Sequence, residues 1–378
     1  MSDFSFDRLR RFPDVEADNL FAVDASDRLI LDEAAGPLAV AGVGEVVVLE
    51  DRYGALTLGA AALHAARGIR VHQDVLSGEM ALAHNAADAG LADTYRSFGL
   101  GRDLLANARV VLLQLPRNLA ALDEIADAIR RFASPEVIVI AGGRIKHMTP
   151  AMNEVLLRHF GELRVSPARQ KSRVLRAQAP IPSAAQTTVS TWPNCVKHVD
   201  LELTVCAHGA VFAGATIDIG TRYLLEFLDR MKTDASSAID LGCGTGVLAA
   251  ALARRRPALR VTATDQSAAA VASARATMAA NALTDRVAVV RDDALRTQPE
   301  ASAELIVLNP PFHIGSSVHA GIALKLFQDA GRVLHPGGEL WAVWNTHLGY
   351  RPALTRLIGP TQQMGRNAKF TVTVSTAR

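Results

Sequence analysis

AIDLGCGTGVLAAALARRR, residues 238–256, decides the fold. Its opening residues Ala238-Ile-Asp240 close a short apolar strand, and 247–256 has the Ala- and Leu-rich make-up of a helix. Between them, Asp240-Leu-Gly242-Cys-Gly244-Thr-Gly246 sets three glycines at alternate positions. Glycine accepts backbone angles that side chains resist, so the chain can turn sharply and come close to a ligand. The helix that follows begins with N–H groups lacking intrahelical partners, suited to a carboxylate or phosphate.

Outward from this turn, strand and helix patterns alternate. RVTATD (260–265) is a β-branched strand and 267–282 an alanine-rich helix. RVAVVRD (286–292) and ELIVLN (304–309) are further strands, the second a buried one. A helix over 321–334 stops at Pro336-Gly337-Gly338, and strands follow at 339–345 and 369–376. This alternation predicts a parallel, doubly wound α/β sheet. Toward the N-terminus the same order recurs: strand, turn and helix over 45–66, a buried strand over 109–118, a helix over 119–132 and a strand with its loop over 136–148. Gly54 falls on Gly246, Pro116 on Pro311 and Lys171 on Lys369, an offset drifting only from 192 to 198. An old duplication with divergence explains the ordered drift. Residues 178–194, with three prolines and no apolar period, separate the copies. The expected domains are 1–180, a linker 181–194 and 195–378.

Composition agrees. The chain has 378 residues, 49% apolar but only 5% aromatic, and roughly 100–200 residues per domain predicts two domains. Lys plus Arg number 40 and Asp plus Glu 38, which argues against affinity built on bulk positive charge. Local basic clusters exist at Arg8, Arg10 and Arg11, at Arg169, Lys171 and Arg173, and at Arg254 to Arg256; solvated helix ends are their plainest reading. Three cysteines, Cys195, Cys206 and Cys243, make no CxxC pair, so a reducing compartment and no structural zinc are expected. The opening MSDFSFDRLRRFPDV has no apolar core of a signal peptide, and no run nears the roughly 18 apolar residues of a membrane span. A soluble, cytoplasmic, metal-free protein is expected, with a monomer as its simplest state.

An acid before the first glycine together with GxGxG resembles the first cofactor motif of class I S-adenosylmethionine (SAM)-dependent methyltransferases. The resemblance implies that Asp240, Gly242, Gly244 and Gly246 wrap the methionine part of SAM. It also implies that Asp265, ending the next strand, binds the ribose hydroxyls. Asp292 and Asp293, after the third strand, are candidates for the adenine amine, with Asp293 preferred.

Asn309-Pro310-Pro311-Phe312 follows the fourth strand, where ligands of such sheets bind. A conjugated amine is a weak nucleophile because its lone pair is delocalised. Two acceptors at its N–H groups, the Asn309 side-chain oxygen and the Pro310 carbonyl, can draw the nitrogen toward tetrahedral geometry and aim the lone pair at an electrophilic methyl. Pro311 stiffens the turn. Phe312 can stack on a base, which contributes roughly 1–3 kcal/mol, and His313 is a candidate contact to base or RNA backbone. Transfer needs neither metal nor covalent intermediate, so catalysis rests on positioning and desolvation. The product amine sheds its proton to Asn309 or solvent.

Taken whole, the chain resembles the ribosomal RNA guanine-N2 methyltransferases of the RsmC/RlmG type. The matching stretches are Asn309 through His313, His208-Gly-Ala-Val-Phe212, Asp218-Ile-Gly220-Thr221, Asn345-Thr-His347-Leu-Gly-Tyr350 and Asn367-Ala-Lys369-Phe370. Gly143-Arg-Ile-Lys146-His147-Met and Gln170-Lys171-Ser-Arg173 are closer to the RlmG branch, which implies large-subunit (23S) rRNA as partner; the RsmC branch would imply small-subunit (16S) rRNA. The guanine N2 target is implied by the resemblance alone. It also implies two tandem methyltransferase-like domains, the first degenerate: Glu50 and Arg52 stand where Gly242 and Gly244 stand, and Gln114-Leu-Pro-Arg117 where the Asn309 motif stands. A carboxylate and a bulky cation are expected to fill the first loop, leaving a domain that binds no SAM and supports RNA recognition. Protein glutamine methylation, DNA adenine methylation and a non-catalytic RNA-binding assembly factor are the alternatives. The first usually carries Tyr after Asn-Pro-Pro, the second needs a target-recognition insertion not visible here, and the intact loop and Asn309 turn speak against the third. The target base would be flipped out or already unpaired.

Overall fold

The computed structural model describes residues 4–182, 190–311 and 316–378, with the side chains of 316–320 left aside. The chain divides into two compact units, Met1–Thr191 and Trp192–Arg378. The first holds strands β1 (Val46–Leu49), β2 (Ile69–His72), β3 (Tyr95–Ser97), β4 (Val110–Gln114), β5 (Ile138–Arg144), β6 (Phe160–Val165) and β7 (Ser172–Pro180). The second holds β8 (Asn194–His198), β9 (Leu203–Ala207), β10 (Ser237–Leu241), β11 (Arg260–Asp265), β12 (Val287–Arg291), β13 (Ala303–Leu308), β14 (Leu334–Asn345), β15 (Thr361–Arg366) and β16 (Phe370–Thr376).

The two main sheets share one order. The first runs β3-β2-β1-β4-β5-β7-β6 and the second β12-β11-β10-β13-β14-β16-β15. In each, the first five strands pair in parallel and the last two pairings are antiparallel, so β7 and β16 run opposite to the other six strands of their sheets. The sequence pattern anticipates the parallel part; the antiparallel edge and the strand at Thr361–Arg366 are additions from the structure. Register aligns the copies more tightly than residue matching does. Leu49 faces Leu113 as Leu241 faces Leu308, which sets Gln114 at the place of Asn309.

Strands buried on both faces read as continuous apolar runs, as β1, the first four residues of β4 and Leu305–Leu308 of β13 do. Trp341 and Trp344, three apart on β14, are buried in the two separate cores on either side of the second sheet; truncating either to Ala should cost about 3–5 kcal/mol. The alanine-rich helix Ala268–Ala280 has a polar stripe. Ser273 and Thr277 on it, with Asn281 at its C-cap, receive the N–H groups of His208, Cys206 and Thr204 at 2.9–3.0 Å. Helix side chains thus cover an edge of β9 that would otherwise present unpaired backbone.

The expectation of a reducing compartment started from cysteines without a pairing motif, and that premise is corrected here. Cys195 and Cys206 stand directly opposite on the antiparallel β8–β9 hairpin and are joined by a disulfide. Cys243 alone is free, and it is buried. The spacing of Cys195 and Cys206 carries no motif, because a hairpin, not a local turn, brings them together. The basic clusters are largely paired on their own surface: Arg10 with Glu16, Arg169 with Asp32, Arg254 with Glu202 and Arg255 with Asp229.

Candidate functional site

The glycine turn joins β10 to the helix Val247–Arg255 with all three glycines in the left-handed region, φ 69°, 53° and 78°. Their surroundings differ. A Cβ on Gly246 would lie 2.8 Å from Met278 Cε and 3.1 Å from Ala274 Cβ, so this glycine lets two helices approach. A Cβ on Gly242 or Gly244 would meet nothing within 4 Å; these two border open space. The turn is tied to the neighbouring strand end. Cys243 N–H donates to the Thr264 carbonyl at 2.9 Å, and Gly244 N–H to Asp265 Oδ2 at 3.0 Å. Asp265 also receives Ser267 N–H at 2.9 Å, and its carbonyl receives Asp292 N–H at 3.0 Å, so the ends of β10, β11 and β12 converge.

The acidic candidates separate by role. Asp240 is almost wholly buried and its Oδ2 accepts from Ala249 N–H at 2.9 Å, bracing the helix start from within. Burial pushes its carboxyl up to about 7, with Asp265 adding a smaller push. Asp292 Oδ2 accepts from Thr297 N–H and Oγ1 at 3.0 and 2.7 Å. Asp293, the preferred adenine partner, is paired with Lys325 Nζ at 2.5 Å. Each therefore has one oxygen engaged inside the protein.

Asn309 follows the C-terminal end of β13, beside the β10 turn. Its Nδ2 donates to Asp218 Oδ2 at 3.1 Å and to Thr221 Oγ1 at 2.9 Å. Its Oδ1 is buried and, among the described residues, has no hydrogen-bond partner. Asp218 caps the helix Ile219–Leu225, accepting from the N–H groups of Gly220 and Thr221 at 2.9 and 3.2 Å. A Cβ on Gly220 would stand 2.9 Å from Asp218 Oδ2, 3.1 Å from Phe370 Cε1 and 3.5 Å from Asn309 Oδ1. The stretch Asp218 to Thr221 thus meets the Asn309 turn, with the Phe370 ring also lying beside Gly220. Pro310 is buried and Pro311 exposed; Phe312 and His313 lie outside the described residues. In the sequence Asp218 and Thr221 stand out only as family matches. The Asp-x-x-Thr cap form was the available signal, but the 91 residues to Asn309 hid the contact.

The first unit repeats the backbone of this site with other side chains. Glu50, Arg52 and Gly54 have φ 59°, 63° and 101°, the same three alternate left-handed positions. The carboxylate that closes the turn is Asp51 rather than Glu50: it is buried, and its two oxygens accept from Leu56 and Thr57 N–H at 2.7 and 2.8 Å. Glu50 Oε1 instead accepts from Asp74 N–H at 3.3 Å, and Arg52 is exposed rather than filling the loop. Gln114, at the Asn309 place, donates from Nε2 to Asp27 and to Ser26 Oγ on the helix Ala25–Val40, itself capped by Asp24. Asp24, Ser26 and Asp27 correspond to Asp218, Gly220 and Thr221.

Among the described residues no group of three metal-ligating side chains occurs, and no helix is long and apolar enough to cross a membrane. The family model described as Methyltransferase small domain matches residues 202–374, and that described as RLMG N-terminal domain matches residues 1–180. The chain is similar to the "Ribosomal RNA large subunit methyltransferase G" of Streptomyces avermitilis, at 35% identity covering 96% of this chain and 95% of that one. The protein of the same name in Pseudomonas aeruginosa strain UCBPP-PA14 is 36% identical, covering 96% of each. Among solved structures, a Thermus thermophilus 16S rRNA N2 G1207 methyltransferase (RsmC) in complex with AdoMet and guanosine has the same fold. Its TM-score is 0.70 at 22% identity, covering 96% of this chain and 97% of that chain.

Proposed function

We propose that this chain, which belongs to the ribosomal RNA large subunit methyltransferase G family, transfers a methyl group from SAM to the exocyclic N2 of a guanine in large-subunit (23S) rRNA. The single observation that carries the reading is the orphaned Oδ1 of Asn309, a buried acceptor at the strand end beside the glycine turn. A buried polar atom without a partner costs about 1–3 kcal/mol, a cost recovered when a substrate N–H fills it.

The site suits SAM. Gly242 and Gly244 leave open space at the turn, and Asp265 ends the second strand where a ribose would lie. When bound, SAM supplies an electrophilic methyl on a positively charged sulfonium. Asn309 Oδ1 and the Pro310 carbonyl accept the two N–H groups of the amine, turning its lone pair out of conjugation and toward the methyl. The C–N bond forms as the S–C bond breaks, with the electron pair going to sulfur. The extra proton on nitrogen passes to water, since an amide oxygen is too weakly basic to hold it. Phe312 stacks on the base and His313 contacts base or backbone. Asp292 or Asp293 approaches the adenine amine with the oxygen the protein leaves over. Asp240 shapes the turn.

In this reading residues 195–378 carry the chemistry as a monomer, since the described site residues all come from that unit, and a ribosomal RNA substrate places the protein in the cytoplasm. Residues 1–180 bind no SAM, because Glu50 and Arg52 carry side chains at the backbone positions where Gly242 and Gly244 leave open space, and they support RNA recognition. The test is incubation with tritiated SAM and, separately, protein-free large-subunit and small-subunit rRNA lacking their native modifications. Label recovered as N2-methylguanosine from large-subunit rRNA is expected. Label only in small-subunit rRNA would move the substrate to the other branch, and label in another nucleoside or in glutamine would overturn the guanine reading.

A further inference from the structure

We propose that Asp218 and Thr221 are positioning residues that lock the Asn309 amide with its NH2 turned inward and its oxygen presented to the substrate amine, while Gly220 keeps that oxygen unpaired. The inference rests on the proposed reaction at Asn309 and adds three residues to it.

An asparagine side chain can present either end. With the amide reversed, Nδ2 would face the substrate and two donors would oppose each other, so the lone pair would not be turned. The identity of the inward neighbours decides the matter. An aspartate carboxylate only accepts, and Asp218 Oδ2 already receives two backbone N–H groups in capping the helix Ile219–Leu225. Placing Asn309 Oδ1 against it, 3.1 Å away, would set acceptor against acceptor. The Thr221 hydroxyl, 2.9 Å from Nδ2, takes the second amide proton. Both N–H bonds are thereby satisfied within the protein, and Oδ1 is left over. Hydrogen bonds to a charged group are among the stronger ones, so the orientation is set before substrate arrives.

The first unit supplies the contrast. There Gln114 is also anchored through its nitrogen, Nε2 toward Asp27 and Ser26, the counterparts of Thr221 and Gly220, on a helix capped by Asp24. But Ser26 stands where Gly220 stands, and its hydroxyl lies 3.3 Å from Gln114 Oε1. In that copy the amide oxygen has a neighbour inside the protein. In the second copy the glycine removes it, and a Cβ there would already stand 3.5 Å from Asn309 Oδ1.

The experiment uses the full chain with unmodified large-subunit rRNA and measures kcat, KM for RNA and Kd for SAM. Thr221→Val, nearly the same shape without the hydroxyl, should lower kcat about 10- to 100-fold, the loss that misplacing a group at the reacting centre brings. KM and SAM affinity should stay within about threefold of wild type, a change worth under about 1 kcal/mol. Thr221→Ser and Asp218→Asn each keep an acceptor and should restore most of kcat. Gly220→Ser should lose kcat like Thr221→Val. Equal loss in Thr221→Ser and Thr221→Val would overturn the proposal in favour of packing, as would wild-type kcat in Thr221→Val. Side-chain NMR of protein carrying 15N-asparagine reads the orientation without any substrate. The Asn309 NH2 protons should exchange slowly in wild type and faster in Thr221→Val; equal exchange in both refutes the lock. Wild type that leaves guanine unmethylated yet shows this NMR difference would refute the proposed reaction and leave the lock standing.

Discussion

Replacing Gly244 by arginine, the residue the first unit carries at the corresponding place, separates the cofactor role of the turn from its folding role. Gly244 has φ 53° and nothing within 4 Å of its missing Cβ. The substitution therefore meets no clash at Cβ and costs only what an L-residue costs in the left-handed region, about 1–2 kcal/mol. Arg52, at φ 63° in the first unit, shows that the turn accommodates a long side chain. For a unit of this size each kcal/mol moves the thermal midpoint by about 2–4 °C, so the midpoint should fall by about 2–8 °C. SAM affinity should fall far more, by at least about 100-fold or roughly 2.7 kcal/mol. A side chain begins where the glycine leaves open space, and its guanidinium sets a cation beside a sulfonium. Calorimetric titration with SAM at 25 °C and thermal unfolding followed by circular dichroism read the two effects separately. Gly246→Ala, whose Cβ would press on Met278 and Ala274, should show the reverse balance, with unfolding disturbed by overpacking of about 1–3 kcal/mol on top of strain. Wild-type SAM affinity in Gly244→Arg would refute the reasoning that the turn cradles the cofactor.

Two further outcomes follow from buried groups. Burial raises the Asp240 carboxyl to about 7, above the roughly 3.9 of an unfolded aspartate. The folded state thus holds the proton, and this stabilisation is complete below about pH 4 and lost as pH rises through about 7. Urea unfolding of wild type should therefore weaken relative to Asp240→Asn between pH 5 and 8, by up to about 1.4 kcal/mol per pH unit; parallel stabilities would contradict it. The Cys195–Cys206 disulfide leaves Cys243 as the single thiol, so thiol titration of the denatured, unreduced protein should count one. A count of three would contradict the cross-strand bond.

What the sequence disclosed follows from the range of each signal. The three glycines of the β10 turn were legible because left-handed backbone selects glycine locally. In the first unit the same backbone holds Glu50 and Arg52, so only the residue offset betrays it, and the buried Asp51 that bonds the helix amides sits one residue beyond the Glu50 that the offset points to. The edge strand β15 went unread because Thr361-Gln-Gln-Met-Gly-Arg366 lies at the sheet edge with little buried, so no alternation marks it. The strand β8 is exposed at four of its five residues and gives the same silence. At the candidate site Asn309 was legible from its own tetrapeptide. Asp218 and Thr221, which orient it, were not, because register alone brings a helix cap to a strand end 91 residues later. The pairing of Asp293 with Lys325 was likewise invisible, as each residue reads alone as a surface charge.

The central claim is that the oxygen of Asn309 receives the reacting amine. The most direct test is Asn309→Ala in a single-turnover methyl-transfer assay on unmodified large-subunit rRNA, with SAM affinity measured on the same preparation. Transfer should be abolished while SAM Kd stays within several fold of wild type. Full transfer by Asn309→Ala would contradict the account.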